Sequence, residues 1–402
     1  MVSHIEELRG ALRVLIFALL VRVVGAWVLG EGAPFGPDGT GAEAAFHLGG
    51  HPYPLHMAML HLTGGSARAL SIGAGALSAS VLWSWGRRVG LGGTGGWLAA
   101  AAPICVLPGV LAGGDAPALL VVLVGAWVTT LGGPWALVGG ALAAASVAVK
   151  PIALPALVLL VVRPRALMGA VPVLLLLHGF TRPLWHPQSD GGLLGTWWTA
   201  TEGAVPSRWF HWAWNGLRTL VGAPLWAGVG LLGLGLIGAW RRRADRRWVV
   251  LGLGTVTVAW GTAALFGGRM EGRYLSAAVW AALPLVGAAL ADRRVLAALL
   301  TGLLLWPTAG LLTQLGGYRQ AQDSLARVPR VPVVGFPVDP RPVFDACSTP
   351  DATRMRLLAH QIAEVAPPGA TIRTPPRADG REGELFWPLQ VLRPDLRVQS
   401  QE

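Results

Sequence analysis

Residues 134–162 read PWALVGGALAAASVAVKPIALPALVLLVV, an apolar run whose one charged residue is Lys150, followed by Pro151. Whether this run crosses a bilayer once or twice sets the sidedness of every later loop. A single kinked helix would carry Arg163 and Arg165 outside and leave the cluster at 241–247 on the wrong face. Two legs turning at Lys150-Pro151 keep those arginines inside, and that is the reading the arginines require. Legs of about 12–15 residues are short for a hydrocarbon core, so the bilayer is locally thin there or the pair is partly re-entrant.

The rest of the chain agrees with a membrane solvent. Apolar residues make up 53% of the sequence, charged ones only 13%, and the mean hydropathy is +0.53, far from the composition of a soluble domain. The net charge of +11 raises the question of nucleic acid. Its arginines, however, gather in short loops: Arg87-Arg88, Arg163 with Arg165, Arg241-Arg242-Arg243 with Arg246-Arg247, and Arg293-Arg294, joined by Arg9 and Arg13. That is a topology signal, satisfied by about eleven spans with the N-terminus inside. No nucleic-acid partner is expected.

Spans are expected at roughly 12–29, 67–85, 91–111 and 116–131, then the two legs, then 166–180, 218–240, 248–266, 274–291 and 295–313. The first is read as uncleaved, because no small-x-small site follows it. Pro54 to Leu62 is too short to span and should lie along the interface. Residues 1–313 thus form the transmembrane domain. Residues 314–402 form a small extracytoplasmic α/β appendage, in which Met355, Leu358, Ile362 and Val365 recur on one helical face. Cys105 falls in an apolar run and Cys347 in the tail, which is neither a disulfide framework nor a zinc spacing.

Walker, dinucleotide, nucleophile-elbow and metalloprotease motifs are all absent. What remains is an outer surface bordered by acids, a few cations and many aromatics. Asp38 lies in the turn Pro37-Asp38-Gly39 of the first outer loop, with Glu43 following. It suits a base that takes a proton from an acceptor hydroxyl, and equally a solvated turn residue. Asp115 follows Gly113-Gly114 at a helix start, where a carboxylate faces the positive end of the helix dipole; it is either a cap or a ligand contact.

Lys150 is the chain's only lysine. In an apolar stretch it is either a phosphate contact or a side chain snorkelling to the interface. Arg22 lies about a dozen ångströms into the first span by the helix rise, which calls for a buried partner or a water-filled cavity. Arg269 and Arg273 sit in an outer loop that topology would keep free of arginine, so they serve phosphate or pair locally with Glu271. His47, His51, His56 and His61 invite a metal reading, but His51 precedes a proline, and His56 and His61 would point about 140° apart on a helix. They are read as interfacial or packing residues, and no metal or cofactor is expected. The tryptophans between Trp185 and Trp214 either stack sugars or anchor at the headgroups.

The order His51-Pro52-Tyr53-Pro54-Leu55, Met59-Leu60-His61-Leu62, Gly64-Gly65, Ala67 to Leu70 with Ser71, and Gly86-Arg87-Arg88 resembles the N-terminal half of GT-C type glycosyltransferases. The closest flavour is the polyprenyl- or dolichyl-phosphate-sugar branch, with its protein O-mannosyltransferase and aminoarabinose-transferase relatives. Gly114-Asp115-Ala116, Val149-Lys150-Pro151 and Gly272-Arg273-Tyr274 extend the resemblance over roughly residues 10–290. Two departures stand out: a lone Asp38 replaces a paired acidic motif, and Gly113-Gly114 stand where an arginine is common.

The resemblance implies an all-α polytopic glycosyltransferase that moves a sugar from a polyprenyl phosphate to an extracytoplasmic hydroxyl on a lipid, glycan or protein. It implies Asp38 and Asp115 as catalytic acids. Glu43, His51, Lys150, Arg269, Arg273 and Tyr274 then bind substrate. Arginine in place of lysine, with abundant glycine and alanine, points to a GC-rich bacterial genome and hence to a bacterial cytoplasmic membrane. Two alternatives stay open at this point. One is an O-antigen ligase or polymerase-like enzyme using Arg208 and His211. The other is a transporter or scaffold without chemistry, which would favour an internal repeat.

Overall fold

The structure is a computed structural model that describes residues 2–29, 54–111, 113–150, 163–185, 235–241, 276–320, 331–333, 336–338, 361–374 and 395–400. The single positions Leu157, Gly233, Leu358, Leu389 and Arg393 complete it. Helix α1 runs Val2–Leu29, α2 Pro54–Leu60, α3 Ala67–Arg88, α4 Thr94–Ala101, α5 Pro103–Val106, α6 Asp115–Thr129 and α7 Trp135–Ala145. Then follow α8 Pro164–Trp185, α9 Ser276–Leu290 and α10 Arg294–Gln320.

Helix α1 shows what solvent this bundle is built for. Leu8, Leu12, Ile16, Leu20, Val24 and Trp27 recur at helical spacing and are all exposed, Trp27 at 81%. The opposite stripe, Val14, Ala18, Arg22 and Gly25, is buried, with Arg22 at 0% exposure. Apolar side chains outside and a charge inside invert the soluble pattern and match a helix with lipid on one side and protein on the other. Helices α8 and α10 repeat the arrangement, exposing Met168, Leu175 and Leu176, and Val295, Leu299 and Trp306.

Among the described residues, Ile5–Val28 is the one helix long and apolar enough to cross a membrane by length and composition. Shorter apolar helices cover Asp115–Thr129, Trp135–Ala148, Pro164–Leu177 and Arg294–Gly310. The expected span at 248–266 lies outside the described residues. That at 218–240 is described only near its end, where Gly235 and Gly238 approach the α9 backbone at Leu285 and Ala289.

Of the run at 134–162, the first part, to Lys150, is described; of the expected second leg only Leu157 is. Helix α7 continues through a 3₁₀ turn, Ser146–Ala148, to Lys150, which pairs with Asp115 at the start of α6. At the other end, a Cβ on Gly132 would stand 4.0 Å from Arg163 Nη1. Arg163 therefore lies at the end of the bundle where α7 began. Arg88 lies over the Trp127 ring at 5.3 Å, so Arg88, the end of α6 and Arg163 share one end, as the arginine count requires.

The span expected at 91–111 is instead broken into α4, α5 and a 3₁₀ turn, Leu107–Gly109. Pro103 is the cause: it has no N–H to continue α4, and it forces Ala102 into an extended conformation, φ −65°, ψ 132°. Helices α1 and α10 also run longer than the apolar count implied, starting at Val2 and ending at Gln320.

In lipid the hydrophobic effect does not draw one helix to another, so close small-residue packing must hold them. A Cβ at Gly125 would meet the Ala143 nitrogen and the Gly139 carbonyl, both at 2.6 Å; one at Gly140 would overlap the Ala166 carbonyl, and one at Gly169 that of Leu137. These contacts dock α6, α7 and α8 backbone to backbone. Gly140→Val is accordingly expected to cost about 3 kcal/mol or more, beyond the usual overpacking penalty because a backbone must retreat. Gly302→Ala, facing open space on α10, should leave the thermal midpoint unchanged, and comparing the two midpoints checks the claim.

In the tail, Val331–Val333 (β1) pairs antiparallel with Phe336–Val338 (β2), and Thr371–Thr374 (β3) pairs parallel with Arg397–Ser400 (β4). Residues 361–365 are helical; Ile362 packs on Leu389 and Leu396, but Val365 is 80% exposed rather than sharing that face. Asp395 receives Arg393 Nε at 2.7 Å, Arg393 Nη2 at 2.8 Å and the Gly369 N–H at 3.1 Å. Chiefly the Arg393 hydrogen bonds, then Gly369, hold its carboxyl well below the usual carboxylate range. Its folded pKa being depressed, the clamp is complete above the unfolded carboxylate value of about 4 and is lost only as pH falls below it.

Candidate active site

Two of the sequence-derived site residues fall among the described residues, and they meet. Lys150 Nζ stands 2.8 Å from Asp115 Oδ1, with their side chains 9% and 7% exposed. The antiparallel docking of α6 and α7 explains the meeting, because it sets the N-terminus of α6 beside the end of the 3₁₀ turn that extends α7. Each charge then occupies the helix end that favours it, the carboxylate at a positive N-terminus and the ammonium near a negative C-terminus.

Asp115 is the first residue of α6 rather than its N-cap. The N-cap position is Gly114, which has no side chain to cap α6, and Asp115 pairs with Lys150. Lys150 does not snorkel either, since it is 7% exposed and ion-paired. A buried ion pair contributes little net stability once desolvation is counted. A primary ammonium offers a compact point charge to a phosphate, and a carboxylate beside it can orient or accept from a hydroxyl.

Helix α2 brings a third polar group. Its Leu55 and Met59 pack on Ala118 of α6 and on Val149, which lays the helix against the start of α6 and the turn that ends at Lys150. His56, on the same helix, is 2% exposed. A Cβ placed on Gly114 would lie 3.4 Å from His56 Nδ1 and Cε1 and 3.4 Å from Lys150 Cδ. Imidazole, ammonium and carboxylate therefore converge around Gly114. Among the described residues no group of three or more His, Cys, Asp or Glu could hold a metal ion.

The loop that delivers Asp115 is fixed from α3. Ser71 Oγ donates to the Gly113 carbonyl at 2.9 Å and accepts from the Gly113 N–H at 3.2 Å. Neither His56 nor Ser71 stood out in the sequence as a site residue. The signal for His56 was available, because it falls four residues before Leu60 on the buried face of α2; Ser71 belongs to the stretch that carries the family resemblance, but nothing in its spacing pointed to Gly113. Asp38, Glu43, His51, Arg269, Arg273 and Tyr274 lie outside the described residues, as do Arg208, His211 and most of the tryptophan-rich segment.

No protein-family model matches the chain, and no curated protein matches it in sequence. Among solved structures it is similar to ArnT from Cupriavidus metallidurans bound to undecaprenyl phosphate, at a TM-score of 0.60 and 16% identity over 96% of this chain and 85% of that one. Arabinofuranosyltransferase AftD from Mycobacteria also matches, at a TM-score of 0.45 and 17% identity, over 96% of this chain and 32% of that one. The exposed apolar faces of α1, α8 and α10 and the likeness to ArnT together give the chain the fold of that membrane protein.

Proposed function

We propose that the chain is a GT-C type glycosyltransferase that moves a sugar from a polyprenyl-phosphate donor to an acceptor hydroxyl on the extracytoplasmic side. The observation that carries this is the buried Asp115–Lys150 pair at one end of a bundle whose fold matches a protein solved with undecaprenyl phosphate. A lone lysine spent on an internal ion pair at that place is a phosphate contact held ready.

In this reading Asp38 takes the proton of the acceptor hydroxyl. The acceptor oxygen bonds to the anomeric carbon as the bond from that carbon to the phosphate oxygen breaks. The electron pair leaves with the polyprenyl phosphate, whose charge Lys150, Arg269 and Arg273 neutralise. Asp115 orients Lys150 before the donor arrives and contacts acceptor or sugar afterwards. Glu43, His51 and Tyr274 contact the sugar. Neither a nucleotide sugar nor a metal enters a step.

The test is transfer by purified protein in lipid nanodiscs, given polyprenyl-phosphate sugars and a panel of hydroxyl acceptors, with release of polyprenyl phosphate as the readout. Release that needs both donor and acceptor supports the reading. Turnover of lipid-diphosphate donors alone, abolished by Arg208→Ala or His211→Ala, would replace it with the ligase alternative.

A further inference from the structure

We infer that Arg22 is the positioning residue that sets the geometry of the Asp115–Lys150 pair, an inference that rests on reading this pair as the donor-phosphate contact. Arg22 is fully buried on the inward stripe of α1. Its Nη1 donates to the Ala18 carbonyl at 3.1 Å, and its Nη2 crosses to the Cys105 carbonyl on α5 at 2.9 Å. Nε has no hydrogen-bond partner among the described residues. A group this costly at membrane depth is not kept for packing volume, which a methionine would supply without a charge.

The surroundings are shaped to the guanidinium. A Cβ on Gly75 of α3 would stand 2.6 Å from Arg22 Nε, and one on Gly109 would stand 2.5 Å from it. Two glycines on two different elements thus leave the space that the side chain fills. Only a planar fork reaches two carbonyls on separate helices from such a slot, and the shorter reach of an ammonium does not.

The route to the site is short. Gly75 lies one turn along α3 from Ser71, and Ser71 holds Gly113 by two hydrogen bonds. The segment from Cys105 to Gly113 is therefore pinned to the α1–α3 pair at both ends, by Arg22 at one and by Ser71 at the other. Asp115 begins two residues beyond. This is the segment that Pro103 and Pro108 keep from being a continuous helix, so it relies on such ties for its shape. A displacement of about 1 Å at Asp115 would be enough to cost on the order of 100-fold in rate.

Lys150, as the only lysine, gives a readout that does not depend on activity. An amine-selective acylating reagent and peptide mass analysis report how exposed Lys150 is, separately from the N-terminal amine. Arg22→Met removes the fork while keeping bulk, and Gly75→Ala keeps Arg22 but fills its slot. Gly73→Ala, which meets nothing within 4 Å, is the control.

Arg22→Met and Gly75→Ala are expected to raise the Lys150 acylation rate about fivefold or more and to lower kcat by roughly 10- to 100-fold. Gly73→Ala should match wild type in both. If Arg22→Met fails to fold, Gly75→Ala decides. Wild-type acylation and kcat in Gly75→Ala and in a folded Arg22→Met, with only a lower thermal midpoint, would overturn the inference and leave Arg22 a scaffold residue. Absence of transfer by the wild type would defeat the functional reading alone, since the acylation rates judge positioning independently.

Discussion

Replacing Lys150 with methionine is expected to cost about 3–5 kcal/mol of stability, because it removes the cation from a carboxylate held in a site with almost no access to water. Asp115→Asn should be costly for the same reason with the signs exchanged. The double variant Asp115→Asn/Lys150→Met removes both charges and should recover much of what either single change loses, a coupling that a double-mutant cycle measures directly. Turnover should behave differently. None of the three variants is expected to retain more than about 1% of wild-type kcat/KM, since in the proposed mechanism the charge that meets the departing phosphate is then gone or misplaced. Thermal midpoints in nanodiscs and initial rates on the same preparations separate the two effects. A double variant as unstable as either single one would show that the pair is not the dominant interaction at this place.

Asp38→Asn is expected to lower kcat by roughly 10²–10⁴-fold while leaving the donor Kd within about threefold, the signature of a lost general base. The asparagine keeps the shape and turn preference of the Pro-Asp-Gly sequence, so the change isolates the proton acceptor. Single-turnover rates at saturating donor, with donor binding measured separately, make the distinction. Loss of donor binding with an unchanged chemical step would move Asp38 from base to donor contact. Full activity would make it a solvated turn residue.

The elements that surround this site differ in how legible they were. Helices α3 and α6 follow from uninterrupted apolar runs with a turn at each end, and the common end of Arg88 and Arg163 follows from where arginine is tolerated. The break between α4 and α5 was readable in principle, since Pro103 stands in the middle of the run, but hydropathy averaged over a window passes across it. Val365 recurs at the right spacing to be buried. It is exposed because the helix stops just short of Pro367-Pro368 and its last turn points into water.

Asp115 and Lys150 were each conspicuous, one by its place after two glycines and the other as the single lysine. Their pairing was not, because it depends on how α6 and α7 dock. That docking is set by glycines at 125 and 139 meeting backbone to backbone, a long-range fit with no period in the sequence. Arg22 illustrates the same limit: its depth in α1 announced a buried partner, but the partners are two main-chain carbonyls and two absent side chains.

The most direct measurement is the acylation rate of Lys150 with and without a polyprenyl phosphate in the same nanodiscs. If Lys150 meets the donor phosphate, lipid phosphate at about ten times its Kd should slow acylation about tenfold, and the corresponding polyprenol should not. An acylation rate unchanged by saturating polyprenyl phosphate, in protein shown to bind it, would contradict the account.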